Sequence, residues 1–136
     1  MEKEFVTYEQ ALALKELDFD EPCLASYYHA GRRLYIAEYV KHGEYTVLAP
    51  LYQQAFRWFR EKHSLKHNIE DDNNKGERFY YKIRSFDDEK FDNYYDVHVF
   101  IREEKDWSKI EFDSYDKAES ACLGKLIEIV KGKENV

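Results

Sequence analysis

Residues 49–63, APLYQQAFRWFREKH, form the most aromatic helix-like stretch of the chain, and the way its rings and arginines divide decides the fold around it. At about 100° per residue, Leu51, Tyr52, Ala55, Phe56, Trp58, Phe59 and Leu65 fall within an arc of roughly 180°. Gln53, Gln54, Arg57, Arg60, Glu61 and Ser64 fill the other half. The spacing predicts a helix opened by Pro50, whose missing N–H costs nothing in a first turn. Trp58 and Phe59 face inward and Arg57 and Arg60 face water. A reader of nucleic acid needs ring and cation on the same side, so the stretch reads as a core helix.

Upstream, Thr7-Tyr8-Glu9-Gln10 matches a capping box, in which the Thr7 hydroxyl and the Gln10 amide each satisfy an end N–H. The short helix after it should stop near Leu17, before the acidic run that ends in Pro22. Leu24 to His29 and Arg33 to Tyr39 then read as two strands around an Ala30-Gly31-Arg32 turn, because Leu34 and Ile36 alternate with Tyr35, Ala37 and Tyr39. His42-Gly43 offers a second turn, and Tyr45 to Leu48 a third short strand.

Downstream, His67 to Glu77 is polar and loop-like. Phe79, Tyr81 and Ile83 alternate with Tyr80, Lys82 and Arg84, and Val97, Val99 and Ile101 alternate with His98, Phe100 and Arg102. These predict two antiparallel strands, with Ile110 to Phe112 as a short last one. A long final helix begins at Asp113 or Ser114, either of which can cap it, and runs to Lys131 before Gly132. Its apolar stripe is Tyr115, Ala118, Cys122, Leu126, Ile129 and Val130, widened by Leu123 and Ile127. The expected fold is a single α+β domain over residues 1–136: one antiparallel sheet of four to five strands packed against two long helices, with the short N-terminal helix alongside.

The chain of 136 residues carries a net charge of −7. Residues 70–119 hold 16 acidic and 9 basic residues and the remainder hold 12 of each, so the central segment supplies the whole excess. That balance disfavours phosphate backbones and fits a protein partner better. No apolar run approaches the ~20 residues that span a bilayer. With two well-separated cysteines and no apolar leader, a cytoplasmic protein is expected. The 12 tyrosines include the doublets Tyr27-Tyr28, Tyr80-Tyr81 and Tyr94-Tyr95, and adjacent residues of a strand point to opposite faces, so some rings must reach the surface.

Motifs for chemistry are sparse. Asp71 to Gly76 resembles the start of a calcium loop, but Lys75 and Lys82 stand where the third and last oxygen ligands belong, so a solvated turn is expected. His63 and His67 share one helical face at a spacing of four, yet the intervening Ser64-Leu65-Lys66 lacks a zinc protease's glutamate. Cys122 belongs to an apolar stripe; Cys23, after Pro22, is the more reactive candidate if either cysteine is reactive. There is no nucleophile elbow, P-loop or dinucleotide fingerprint. Neither a metal nor a cofactor is expected. The best set for nucleic acid is Tyr80, Lys82 and Arg84 on one strand face, extended by Arg102, with Arg57 and Arg60 as further candidate binding residues.

The segments APLYQQAFRWFREKH, TYEQALALKELDFDEPC and SYDKAESACLGKLIEIVKG resemble a family of small uncharacterised proteins of gut bacteria and their phages and mobile elements. That resemblance implies a small intracellular protein and no particular chemistry. The family pattern has glycine where this chain has Asp18, which implies a left-handed cap there. The leading expectation is a non-enzymatic protein-binding or accessory module using exposed tyrosines and the acidic central segment. Single-stranded nucleic-acid binding on the Tyr80, Lys82, Arg84 face is the alternative, and an enzyme is third. The chain is expected to be a monomer or a weak homodimer through Leu123 and Ile127.

Overall fold

The computed structural model describes residues 2–40, 43, 45–71, 79–85 and 112–134. After a 3-10 turn at Glu2–Glu4 come helix α1 (Tyr8–Glu16), strands β1 (Cys23–Tyr28), β2 (Leu34–Val40) and β3 (Thr46–Leu48), helix α2 (Tyr52–His63), strands β4 (Leu65–Asp71) and β5 (Phe79–Ser85), and helix α3 (Tyr115–Glu134). Among the described residues the chain is thus α+β, with three helices and two small antiparallel sheets. The described strands do not form the one sheet expected: three pair in the order β2-β1-β3, and β4 pairs with β5. Two compact units result, residues 1–55 with 127–136 and residues 56–126.

In the first unit the Thr7 capping box forms as expected, with Gln10 N–H donating to Thr7 Oγ1 and Thr7 N–H to Gln10 Oε1. Gln10 Oε1 also accepts from the Tyr52 hydroxyl at 3.0 Å. Helix α1 ends in a Schellman arrangement: Asp18, at φ 68°, donates to Lys15 O, and Phe19 N–H reaches back to Leu14 O at 3.0 Å. Leu14 and Phe19 are both buried beside that turn. The left-handed cap expected at Asp18 is therefore present. In the sheet, Phe5, Ala25 and Ala49 form a cluster against which Tyr27, Leu34 and Leu51 pack. The Tyr27 hydroxyl donates to Val6 O at 2.8 Å. Pro50 lies ahead of α2 rather than in its first turn. Its carbonyl accepts the Val6 N–H, and Leu51 bridges Phe5 before its own carbonyl accepts the first helical bond from Ala55.

In the second unit, Phe56, Trp58 and Phe59 are buried and Arg57 and Arg60 exposed, as the helical wheel predicts. The helix does not continue to Leu65. Ser64 takes φ 54°, a left-handed turn that ends α2, and Leu65 opens β4 directly. Two expectations fall with this. Residues 67–71 are strand rather than loop, and His63 and His67 do not share a helix face. Strand β4 runs antiparallel to β5 with Leu65 opposite Ser85, His67 opposite Ile83 and Asp71 opposite Phe79. Phe79 also bridges Phe112, where the short last strand was expected. The expected partner strand, Val97 to Ile101, lies outside the described residues, as does most of the Asp71 to Gly76 loop. Helix α3 is capped by Ser114, whose Oγ accepts the Lys117 N–H, and continues past Gly132 to Glu134. Leu123 and Ile127 are both buried.

Candidate functional site

The β4–β5 hairpin brings three of the expected site residues together. Pairing places Tyr80 opposite Glu70, Lys82 opposite Asn68 and Arg84 opposite Lys66, all on one face because directly opposed residues share a side. At one end of this face the groups satisfy one another. Glu70 accepts from the Tyr80 hydroxyl through Oε2 and from Asn68 Nδ2 through Oε1 at 2.7 Å, and Lys82 Nζ lies 3.3 Å from Oε2. The Tyr80 hydrogen bond, with Lys82 and Arg84 adding to it, holds the Glu70 carboxyl below its usual range. Lys82 Nζ also stands 5.7 Å from the centroid of the Tyr80 ring. The phenol that was to stack on a base thus already engages a carboxylate through its hydroxyl and a cation near its ring.

At the other end, Lys66, His67, Asn68, Lys82 and Arg84 line a partly open cavity of about 200 Å³. Lys66 is the addition that reading the sequence missed, since it fell at a presumed helix end. Arg60 does not line the cavity but lies near His67, and Arg57 is exposed elsewhere on α2. Arg102 lies outside the described residues.

On the opposite face of the hairpin His67 stacks on Phe56, with ring centroids 3.6 Å apart and planes 11° from parallel. Its Nδ1 is buried with no hydrogen-bond partner among the described residues. Burial first, and the nearby Arg60 second, push its pKa down to about 4, so the ring is neutral near pH 7 and packs as an aromatic.

The three-stranded sheet offers a second surface of different character. Tyr28 N–H donates to Arg33 O at 3.0 Å, which makes Tyr28 and Arg33 a hydrogen-bonded pair. Alternation along an antiparallel ladder then turns the main-chain groups of Leu34 and Ile36 away from β1, toward the outer edge of β2. The β3 side gives the same phase, because Ala25 O accepts from Ala49 N–H and His29 N–H donates to Tyr45 O. No described strand pairs with that outer edge. Tyr35 and Ile36 are 53% and 47% exposed on opposite faces of the strand. Tyr28 sits edge-to-face with Tyr35 at 5.9 Å, and Leu24 and Tyr45 are exposed nearby in the same unit. Edge strands are commonly guarded by charge or proline; Leu34-Tyr35-Ile36 carries neither, and the charges lie to either side, Arg33 before it and Glu38 further along the strand.

Neither cysteine is a ready thiolate, and that includes Cys23. Its side chain is buried and donates to Glu21 O, and burial, with the Glu21 carboxylate beside it, pushes its pKa up to about 12. Cys122, also buried, is pushed up as well, chiefly by burial. Among the described residues, no group of three or more His, Cys, Asp or Glu side chains could hold a metal ion. No described helix is long and apolar enough to cross a membrane. Comparison with protein-family models, with curated proteins and with solved structures finds no match to this chain.

Proposed function

We propose that this chain is a non-enzymatic protein-binding module that takes up an extended segment of its partner along the outer edge of β2. One observation carries the reading: the outward main-chain groups of Leu34 and Ile36 lie on an edge that no described strand pairs, with Tyr35 and Ile36 exposed on its two faces. Main-chain pairing of this kind supplies affinity, and side chains alternating to the two faces supply selectivity. Tyr35 and Tyr28 serve as anchors on one face and Ile36 on the other. Tyrosine suits that role because it contributes large area with few rotatable bonds.

Ile36→Pro tests the mode of binding. Proline at this position removes only an N–H that points outward and leaves the β1 ladder its donors. Partners recovered with the tagged protein from its native host should be lost with Ile36→Pro and with Tyr35→Arg, while circular dichroism shows both variants folded. Recovery of the same partners by wild type and both folded variants would refute the reading. Single-stranded nucleic acid stacked on Tyr80 draws less support, because Glu70 and Lys82 already occupy that residue.

A further inference from the structure

The turn between β1 and β2 delivers two consecutive arginines, and the backbone sends them to different places. Arg32 takes φ 50° in the turn and reaches helix α1, with Nη1 3.2 Å from Glu9 Oε1 and the guanidinium carbon 5.1 Å from the centroid of the Tyr8 ring. Arg33 is the first residue past that left-handed position. Its carbonyl accepts the Tyr28 N–H, so it stands opposite Tyr28 and two residues before Tyr35. Residues opposed across a ladder share a side, as do residues two apart on a strand. Tyr28, Arg33 and Tyr35 therefore occupy one face, and all three are exposed. The two rings meet edge-to-face at 5.9 Å. One cation thus borders two exposed rings beside the outer edge of β2.

Leu34 and Ile36 turn their main-chain groups outward, so an added antiparallel strand would make its hydrogen-bonded pairs with them. Arg33 and Tyr35 then fall at the non-hydrogen-bonded positions, where Cα atoms approach to ~4.5 Å and side chains meet most closely. A parallel strand offers evenly spaced and slightly weaker pairing instead. Opposite charges directly across a ladder are favourable, and a like charge facing Arg33 is not. An aromatic side chain suits the place facing Tyr35, and an aliphatic one the place facing Ile36, which is exposed on the other face of the strand. We infer, resting on the proposal that β2 pairs with its partner, that the edge selects an antiparallel segment reading aliphatic, aromatic, any residue, acidic. These four residues face Ile36, Tyr35, Leu34 and Arg33 in turn, and the carboxylate lies against Arg33. The preference runs against the net charge of −7, which by itself would draw a cationic segment.

Two capped peptides, one containing Thr-Val-Phe-Thr-Glu-Thr and the other Thr-Val-Phe-Thr-Lys-Thr, are titrated into the full chain labelled with 15N. The glutamate peptide should give saturable shifts at the amides of residues 33–36 and bind about three- to tenfold more tightly than the lysine peptide. Net charge alone would give the reverse order. Arg33→Glu should invert the preference, Arg33→Gln should make the two peptides equal, and added salt should shrink the difference in wild type. Arg33 is exposed, so both substitutions leave the fold intact. Equal affinity for wild type, or a preference for lysine, with binding lost in Ile36→Pro, would overturn the acidic selection and leave edge pairing standing. Binding that survives Ile36→Pro would overturn both. Without saturable shifts from either peptide the selection is likewise refuted, while edge pairing is still decided by the partners recovered from the native host.

Discussion

The sheet of residues 23–48 and the hairpin of residues 65–85 follow the same antiparallel alternation, yet they treat their tyrosines differently. On the hairpin, Tyr80 gives its hydroxyl to Glu70 and lies beside Lys82, so its polar and π-electron capacity is spent within the chain. On the sheet, Tyr27 is tied to Val6 O, but Tyr28 and Tyr35 present their rings outward and meet each other only edge-to-face. The difference comes from the neighbours across the strand. Tyr80 faces a carboxylate, whereas Tyr35 faces Ser26 and Tyr28 lies between Thr46 on one side and Arg33 on the other, none of them an acceptor fixed on its hydroxyl as Glu70 is on that of Tyr80 in the contacts described. A tyrosine's availability to a partner is thus set by its cross-strand residue as much as by its exposure.

The comparison can be broken most forcefully from beneath the hairpin. Phe56 is 1% exposed and carries the stacked ring of His67. Phe56→Ala should cost about 3–5 kcal/mol in urea unfolding, the usual range for a large aromatic lost from a core. Tyr35→Ala, at an exposed position, should cost no more than about 1 kcal/mol. Near-equal losses would mean that the sheet's outer tyrosines are structural.

Next in size is the pH response of His67. Its folded pKa of about 4 lies below the ordinary 6.5, so between those values the unfolded chain binds more protons than the folded one. Stability from this ring is complete above pH 6.5 and is lost as pH falls toward 4. The loss should be about 1–2 kcal/mol after allowance for solvent at the partly open ring. Glu70 acts in the same direction but below its ordinary 4.5, which separates the two windows. Equilibrium unfolding of His67→Phe should be flat from pH 6.5 to 5; an unchanged slope would assign the response to other groups.

A smaller effect addresses the tyrosines directly. Tyr80→Phe deletes a hydrogen bond to a carboxylate and should destabilise by about 1 kcal/mol, toward the low end for charged partners because the site is half-buried. Tyr28→Phe and Tyr35→Phe should stay within about 0.5 kcal/mol. Chemical denaturation of the three variants decides the matter, and a Tyr35→Phe loss equal to that of Tyr80→Phe would erase the contrast.

The sequence showed some of this plainly and hid the rest for identifiable reasons. The Thr7 box, the outward arginines of α2, the Ala30 to Arg32 turn and the Ser114 cap rest on local rules, and each is present. The alternation of Tyr80, Lys82 and Arg84 placed them correctly on one face. Strand β4 escaped because its pattern of Leu65, His67 and Ile69 alternates only if His67 counts as apolar, and that depends on Phe56 lying against it. Lys66 escaped with the strand. The edge of β2 was equally hidden, since hydrogen-bond phase follows from strand order, and strand order is a non-local property.

The two regions also share a device that gives the finest test. Each is entered from a helix through a non-glycine residue of positive φ, Asp18 at 68° before β1 and Ser64 at 54° before β4. An L-residue there crowds its Cβ against the following carbonyl, and a short polar side chain reduces the cost without removing it. Asp18→Gly and Ser64→Gly should each stabilise by about 0.5 kcal/mol, the relief of strain being partly offset by the freer unfolded chain. Asp18→Val and Ser64→Val should destabilise, since a β-branched side chain tolerates the conformation least. The two sites differ in the residue on the far side of the turn. Asp18 leads into Phe19, which returns a hydrogen bond to Leu14 and buries its ring, whereas Ser64 leads straight into a paired strand. Urea midpoints that rise for Asp18→Gly and fall for Ser64→Gly would show that the serine side chain contributes more than its backbone strain costs.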